Sequence, residues 1–179
     1  MAWHDWKCER LQNVGGIRTE VKAEGIILEE EILKAKKKAM SLLQHMDRTE
    51  WELRSKLEKA GFTEEAVREA VEYVRSFHYI DDRRYAIRFV EIYCESRSIQ
   101  RIRQDLQKKH ISDDLITLAL EEIEYNDSRA LEKAMDKVLA GKDGELSYEE
   151  RQKIIAKLYR RGFRVDQIVT QLEKRSINS

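Results

Sequence analysis

The sequence predicts an all-α protein, built as three tandem three-helix repeats in an elongated, curved helical array. Three observations carry that expectation. Proline is absent from all 179 residues, where average usage of about 5% would give roughly nine. With the strongest helix breaker missing and only seven glycines, long helical stretches meet few interruptions. Apolar residues recur at threes and fours through most of the chain, the spacing of one buried helix face. A unit of about fifty residues also recurs three times. Leu53, Leu57 and Phe62 of the clearest copy return 49 positions later as Ile102, Leu106 and Ile111, and 52 further on as Ile154, Leu158 and Phe163. Self-similar units of this length stack, because each is too small to bury its apolar face alone.

The first 25 residues stand apart, with Trp3, His4, Trp6 and Cys8 ahead of Gly15-Gly16 and a short alternation at Ile17, Thr19 and Val21. They read as an N-terminal extension, strand-like or flexible. From Ile26 the period becomes helical, with Ile27, Ile32, Ala35, Ala39, Leu42, Leu43 and Met46 on one stripe. Glu29, Glu30 and Glu31 precede Lys34, Lys36, Lys37 and Lys38, an order that suits the helix dipole and Glu-to-Lys pairs four apart. Thr49 with Glu52 is a capping-box pattern; Trp51, Leu53 and Leu57 are expected on the core face, and Gly61 fits a C-terminal cap at positive φ. Thr63 caps a third helix with Ala66, Val67, Ala70, Val71 and Val74 inward. This first repeat spans 26–78.

The second repeat, 79–126, puts Tyr85, Ala86, Phe89, Val90 and Tyr93 on its first helix and Ile102 and Leu106 on its second. Ser112 caps its third, with Leu115, Ile116, Ala119, Leu120 and Ile123 inward. The third repeat, 127–179, begins a helix near Ser128 with Ala130, Leu131, Ala134, Met135, Val138 and Leu139. A loop at Gly141-Lys142-Asp143-Gly144 follows, then a second capping box at Ser147 and Glu150. Ile154, Ile155, Leu158 and Tyr159, then Phe163, Ile168, Val169 and Leu172, complete the apolar pattern.

Charge balances over the chain, with 34 basic and 34 acidic residues, so net charge names no partner. Its distribution says more. Residues 97–110 carry Arg97, Arg101, Arg103, Lys108 and Lys109 against Asp105 alone, a net of +4. Residues 151–164 carry Arg151, Lys153, Lys157, Arg160, Arg161 and Arg164 and no acid. Residues 112–124 hold five acids and no base. The middle helix of the later repeats is therefore basic and the last helix acidic, and stacking would align them as ribbons of opposite sign. The basic helices suit phosphates, through salt-dependent and sequence-tolerant contacts, or an acidic protein, through electrostatic steering. A solvated face is the default for any charge run.

Catalytic patterns are missing from the sequence. There is no phosphate loop, no His-Glu-x-x-His, no Cys-x-x-Cys and no Gly-x-Ser-x-Gly elbow. His4 and Cys8 sit four apart, yet two ligands without partners do not make a metal site. Asp81-Asp82 are adjacent carboxylates that do not converge on one point, so Asp82 reads as a helix N-cap. His45, His78 and His110 fall near helix ends. Cys8 and Cys94 form no disulfide framework and read as one incidental and one buried thiol. The chain is expected to be a cytoplasmic monomer with no cofactor, no metal and no catalytic activity. No apolar run near 18 residues and no signal-like segment occur.

Tyr79-Ile80-Asp81-Asp82-Arg83-Arg84-Tyr85-Ala86, then Phe89, Arg101-Ile102, Leu106 and Arg161-Gly162-Phe163 with Asp166 and Ile168, resemble the RecX family, regulators of RecA recombinase. The likeness covers about residues 35–173. His110, where the family usually has glycine, and Arg97-Ser98-Ile99, where a glycine-containing turn is commoner, depart from its pattern. The resemblance implies a protein that binds the RecA–DNA filament, lying in its groove and inhibiting recombinase, ATPase and co-protease activity. It leaves contact with single- or double-stranded DNA open. Arg97, Arg101, Arg103, Lys108, Lys109, Arg151, Lys153, Lys157, Arg160 and Arg161 are the candidate contact surface. Asp81, Asp82, Tyr85, Ala86, Gly162 and Phe163, the family signature, read as structural. The alternative is a stand-alone DNA-binding protein of helix-turn-helix-like units.

Overall fold

Thr, Ser and Asp residues stand immediately before almost every apolar stripe of the sequence, and the chain breaks into helices at those points. The computed structural model describes residues 26–141 and 146–177, and its regular elements are all α-helices. The strand-like reading of 1–25, the His4–Cys8 spacing and the Lys142–Gly144 part of the loop lie outside the described residues. Helix α1 covers 26–45. It is followed by α2 Glu50–Lys59, α3 Glu64–Ser76, α4 Asp82–Tyr93, α5 Ile99–Gln107, α6 Asp113–Glu122, α7 Ser128–Leu139, α8 Tyr148–Tyr159 and α9 Val165–Ile177. They form two compact units, the first ending at Ile80 and the second beginning at Asp81.

Each triplet of helices closes its own core. In the first unit Ala35 and Ala39 of α1 meet Leu53 and Leu57 of α2 and Val67, Ala70, Val71 and Val74 of α3, with Ile80 beneath. In the second unit Ala86, Val90, Ile102, Leu106, Ile111, Ile116, Ala119 and Leu120 form one cluster. Ala130, Leu131, Ala134, Met135, Ile154, Leu158, Phe163, Ile168 and Leu172 form another. Alanines at Ala35 and Ala39 of α1, Ala86 of α4 and Ala130 and Ala134 of α7 let the first helix of each triplet approach the larger residues of the middle helix. Ala66 and Ala70 of α3 and Ala119 of α6 add small residues on the third. Burying one such Leu or Ile side chain contributes about 1.5–3 kcal/mol, so the three equivalent pairs Leu53/Leu57, Ile102/Leu106 and Ile154/Leu158 are the chief apolar anchors of the middle helices.

Helix starts are set locally. Thr49 and Ser147 make the capping boxes that their Glu52 and Glu150 partners predict, and Thr63 and Ser112 cap α3 and α6. Ser98, at the position equivalent to Thr49, caps α5 by accepting from Arg101 N at 3.2 Å. Glu31 of α1 reaches the start of α3, accepting from the backbone N–H of Thr63 at 2.8 Å and from its hydroxyl at 2.9 Å. The cap of α4 corrects the sequence reading. Asp81, not Asp82, is the N-cap; its Oδ1 accepts from Arg84 N at 2.9 Å, and Asp82 is the first helical residue. The hydrogen bond selects the carboxylate three residues before a free amide, and the extended backbone of Asp81 (φ −156°, ψ 102°) leaves its side chain free to turn back.

Helix ends repeat one device five times. After α2, α3, α5, α6 and α8 a residue in the left-handed region follows the cap: Gly61, His78, His110, Glu124 and Gly162, with φ of 88°, 56°, 58°, 49° and 89°. The next residue donates its N–H back to the helix, Phe62 to Leu57, Tyr79 to Val74, Ile111 to Leu106, Tyr125 to Leu120 and Phe163 to Leu158. This is a Schellman turn, whose two return hydrogen bonds satisfy carbonyls at the helix end and whose apolar contact fastens the exit. His110 therefore keeps the turn that glycine makes at the equivalent positions 61 and 162, at the cost of a strained backbone.

The apolar stripes are narrower than their sequence pattern. Ile27 is 67% and Met46 57% exposed, because the core begins at Ile32 and Met46 lies past the last turn of α1. Trp51 is 44% exposed, since it lies about 200° around α2 from Leu53. Tyr159 is 62% exposed at the end of α8, where Leu158 takes the inward direction. Cys94 caps the end of α4 and is half-buried rather than buried. No described helix is long and apolar enough to cross a membrane.

Candidate docking surface

The two basic helices of the sequence, α5 and α8, both lie in the second unit and meet at their ends. Ser98, the cap of α5, is fully buried and donates its hydroxyl to the carbonyl of Arg161 at 2.8 Å. Arg161 stands in the turn that leaves α8, one residue before the left-handed Gly162. Further ties hold the same joint. The Tyr125 hydroxyl donates to the Arg97 carbonyl, and burial pushes that phenol well above its usual range, with the negative charge of Asp127 adding to the effect. Asp127 occupies the N-cap position of α7 without capping it, and accepts instead from Ile99 N at 3.3 Å. Glu95, beyond α4, pairs with Lys133 and with Arg129 at 3.4 Å on α7; these cations hold its carboxyl below the usual range, Lys133 foremost.

The ten basic candidates divide into two groups by what they touch. Arg97 pairs with Asp105 at 2.7 Å and its guanidinium lies 3.5 Å from the centre of the Tyr93 ring. Arg103 is half-buried and donates to the Thr117 hydroxyl at 3.2 Å. Lys109 lies over the Tyr85 ring at 5.4 Å. These three knit the second helix triplet together. Arg101 is exposed and shares Asp105 at 3.1 Å; Arg160 donates to the Ala156 carbonyl at 3.2 Å, and Arg161 lies 5.8 Å from the Phe163 ring. Lys108, Lys153 and Lys157 are exposed, with no ion pair among the described residues. Arg151 is half-buried on the first turns of α8.

Helical spacing groups the outward charges. Lys153, Lys157 and Arg160, at i, i+4 and i+7, share one side of α8 that leads toward the joint. Arg101 and Lys108, seven apart, share one side of α5 that leads away from it. Arg164 drops out of the basic run, because it grips Asp166 through two hydrogen bonds of 3.1 and 3.0 Å. That hydrogen-bonded pair holds the Asp166 carboxyl below its ordinary value.

Sequence reasoning found the charges and missed the joint. Nothing local distinguishes Ser98, whose hydroxyl reaches a carbonyl 63 residues on, from the other Ser and Thr residues that cap helices in this sequence. Sequence reasoning also passed over α4, which presents Arg83, Arg84 and Arg88 outward. Arg83 pairs with Glu122 of α6 at 2.8 Å. Of the signature residues, Ala86 and Phe163 are buried, Tyr85 is half-buried with its ring 6.3 Å from that of Phe89, and Asp81 is the helix cap. The described residues hold no cluster of His, Cys, Asp and Glu able to bind a metal.

This arrangement has recognisable relatives. Residues 35–73 match the first three-helix domain of RecX, and residues 81–120 match the second. The regulatory protein RecX of Caldanaerobacter subterraneus is 35% identical over 139 residues, covering 77% of this chain and 68% of its own. That of Haemophilus influenzae is 31% identical over 134 residues, covering 72% and 86%. The crystal structure of RecX from Lactobacillus salivarius superposes with a TM-score of 0.72 at 25% identity, over 83% of this chain and 99% of that one. Two matched domains, the shared fold and relatives of this closeness together make the chain a member of the RecX family of regulatory proteins.

Proposed function

We propose that this protein binds the RecA–DNA filament through the outward faces of α5 and α8 and inhibits recombinase, ATPase and co-protease activity. The observation that supports this most is the Ser98–Arg161 joint, which sets the start of the basic helix α5 against the turn that leaves the basic helix α8. A filament repeats its protomers and phosphates at fixed intervals, so a surface carrying several weak contacts gains from their linkage. The ammonium groups of Lys108, Lys153 and Lys157 are available to acidic side chains or phosphates without first breaking an internal pair. In this reading the chain acts as a monomer in the cytoplasm, as three repeats at 26–78, 79–126 and 127–179, and without a cofactor. The signature residues Asp81, Tyr85, Ala86, Gly162 and Phe163 hold the fold that presents the surface.

The test is RecA ATPase on single-stranded DNA with the protein titrated in. Lys153→Glu with Lys157→Glu should raise the concentration needed for half-inhibition about tenfold, since each reversal turns a weak attraction of up to about 1 kcal/mol into a repulsion. Unchanged inhibition, with helicity intact by circular dichroism, rules out this face of α8. A parallel titration against bare DNA separates the alternative: tight, sequence-dependent binding without RecA favours a stand-alone DNA-binding protein.

A further inference from the structure

Gly61 and Gly162 look interchangeable in the sequence, each preceding a phenylalanine at the end of a middle helix. Their backbones also match, with φ of 88° and 89°. Their surroundings do not. A Cβ built on Gly61 meets nothing within 4 Å. One built on Gly162 lies 2.6 Å from Ser98 Oγ, 3.2 Å from Gln100 Cβ and 3.4 Å from Arg101 N. The left-handed turn alone therefore accounts for Gly61, whereas Gly162 meets a second demand. The turn leaving α8 must press its backbone against the first turn of α5. Ser98 answers from the other side: it is fully buried, its hydroxyl donates to Arg161 O at 2.8 Å, and the same oxygen accepts from Arg101 N at 3.2 Å.

We infer that the Ser98–Gly162 contact is a register pin, which fixes α8 on α5 so that the two basic helices bind as one preorganised surface. The inference rests on the proposed docking role of those helices and adds the device that makes them a single site. Ser98 and Gly162 are positioning residues; neither has to touch a partner. Rigid placement matters because two linked contacts gain effective concentration only when both can engage at once, and because a surface ordered beforehand loses less entropy on binding. The ties of Tyr125 to Arg97 and of Asp127 to Ile99 hold the same loop from behind.

The experiment uses the full chain with Cys8 and Cys94 replaced by serine and spin labels on Gln104→Cys and Gln152→Cys. Both glutamines are exposed, uncharged and outside the proposed contact set. Pulsed dipolar spectroscopy reads the α5–α8 distance, and RecA ATPase inhibition is measured beside it. Gly162→Ala is compared with Gly61→Ala, which imposes the same backbone strain without the clash. Ser98→Gly is the gentler second variant, since glycine still serves as a helix N-cap while the bond to Arg161 is lost. A narrow distance distribution is expected for the parent and for Gly61→Ala, and a broadened or shifted one for Gly162→Ala and Ser98→Gly. Their inhibition should weaken by about tenfold or more, within the roughly 10²- to 10⁴-fold that linkage of two contacts can supply. An unchanged distribution in both joint variants overturns the pin. A broadened distribution with full inhibition leaves the pin standing as a mechanical fact and overturns the docking role assigned to α5 and α8.

Discussion

Replacing Asp81 by alanine should destabilise the second unit without touching its apolar core, and the size of the effect follows from one hydrogen bond. Asp81 Oδ1 accepts from Arg84 N at 2.9 Å. That amide is among the first four of α4, which have no partner within the helix. Alanine leaves it to water and removes a negative charge from the positive end of the helix dipole. Cap substitutions of this kind cost about 1 kcal/mol, within a range of roughly 0.5–2. In urea, with a slope of about 1–3 kcal/mol per molar, the unfolding midpoint of the full chain should fall by roughly 0.3–1 M at unchanged slope. Asp81→Asn keeps an oxygen acceptor and gives up only the charge, so it should lose a smaller share, about 0.3–1 kcal/mol. Chemical denaturation followed by circular dichroism measures all three proteins. A midpoint for Asp81→Ala within error of the parent would refute the cap assignment. Full stability together with lost RecA regulation would refute the structural role given to the signature, and would make Asp81 a contact residue.

Two further outcomes are expected. Burial raises the Glu50 carboxyl, but hydrogen bonds and charge from Arg75 and Arg54 outweigh it and hold it below its usual 4.5. A carboxyl depressed in the folded state contributes stability above the unfolded value and loses it as pH falls through the folded one. Glu50→Gln should therefore be less stable than the parent at pH 7, the gap closing as pH falls below about 4.5; parallel stability curves from pH 7 to pH 3 would contradict this. Glu124→Gly should stabilise, because Glu124 is exposed at φ 49° after α6. Relief of about 1–2 kcal/mol of left-handed strain exceeds the roughly 0.4–1 kcal/mol that glycine adds to unfolded-chain entropy. A lowered melting temperature would show that Glu124 makes a compensating contact.

Much of the fold was legible because its signals are local. Thr49 and Ser147 declare their helices through a glutamate three residues on, and the returning apolar pair at 53/57, 102/106 and 154/158 marks the core of each triplet. The sequence was ambiguous where two neighbours offer the same chemistry. Asp81 and Asp82 are identical side chains, and only backbone direction at the helix start decides which one caps. The apolar stripe of α1 ran too far in both directions, because periodicity marks a face and not how much of it finds a partner. His110 lacks the glycine expected of its turn, yet the contact of Ile111 with Leu106 and the two return hydrogen bonds outweigh a strained φ.

The proposed docking surface divides along the same line. Charge runs are a property of sequence, so Lys108, Lys153, Lys157 and Arg160 stood out at once. Their exposure does not follow from sequence, and the neighbouring Arg97, Arg103 and Lys109 are drawn into contacts within the second triplet. By itself the sequence determined the helices, the capping boxes at Thr49 and Ser147, the apolar residues of the three cores and the basic character of α5 and α8. These rest on interactions within a few residues or on a repeated period. Tertiary structure alone decided that α8 ends against the start of α5, with Ser98 bound to a carbonyl 63 residues away. Contacts so distant in the chain depend on how whole helix triplets dock, and no local pattern encodes that.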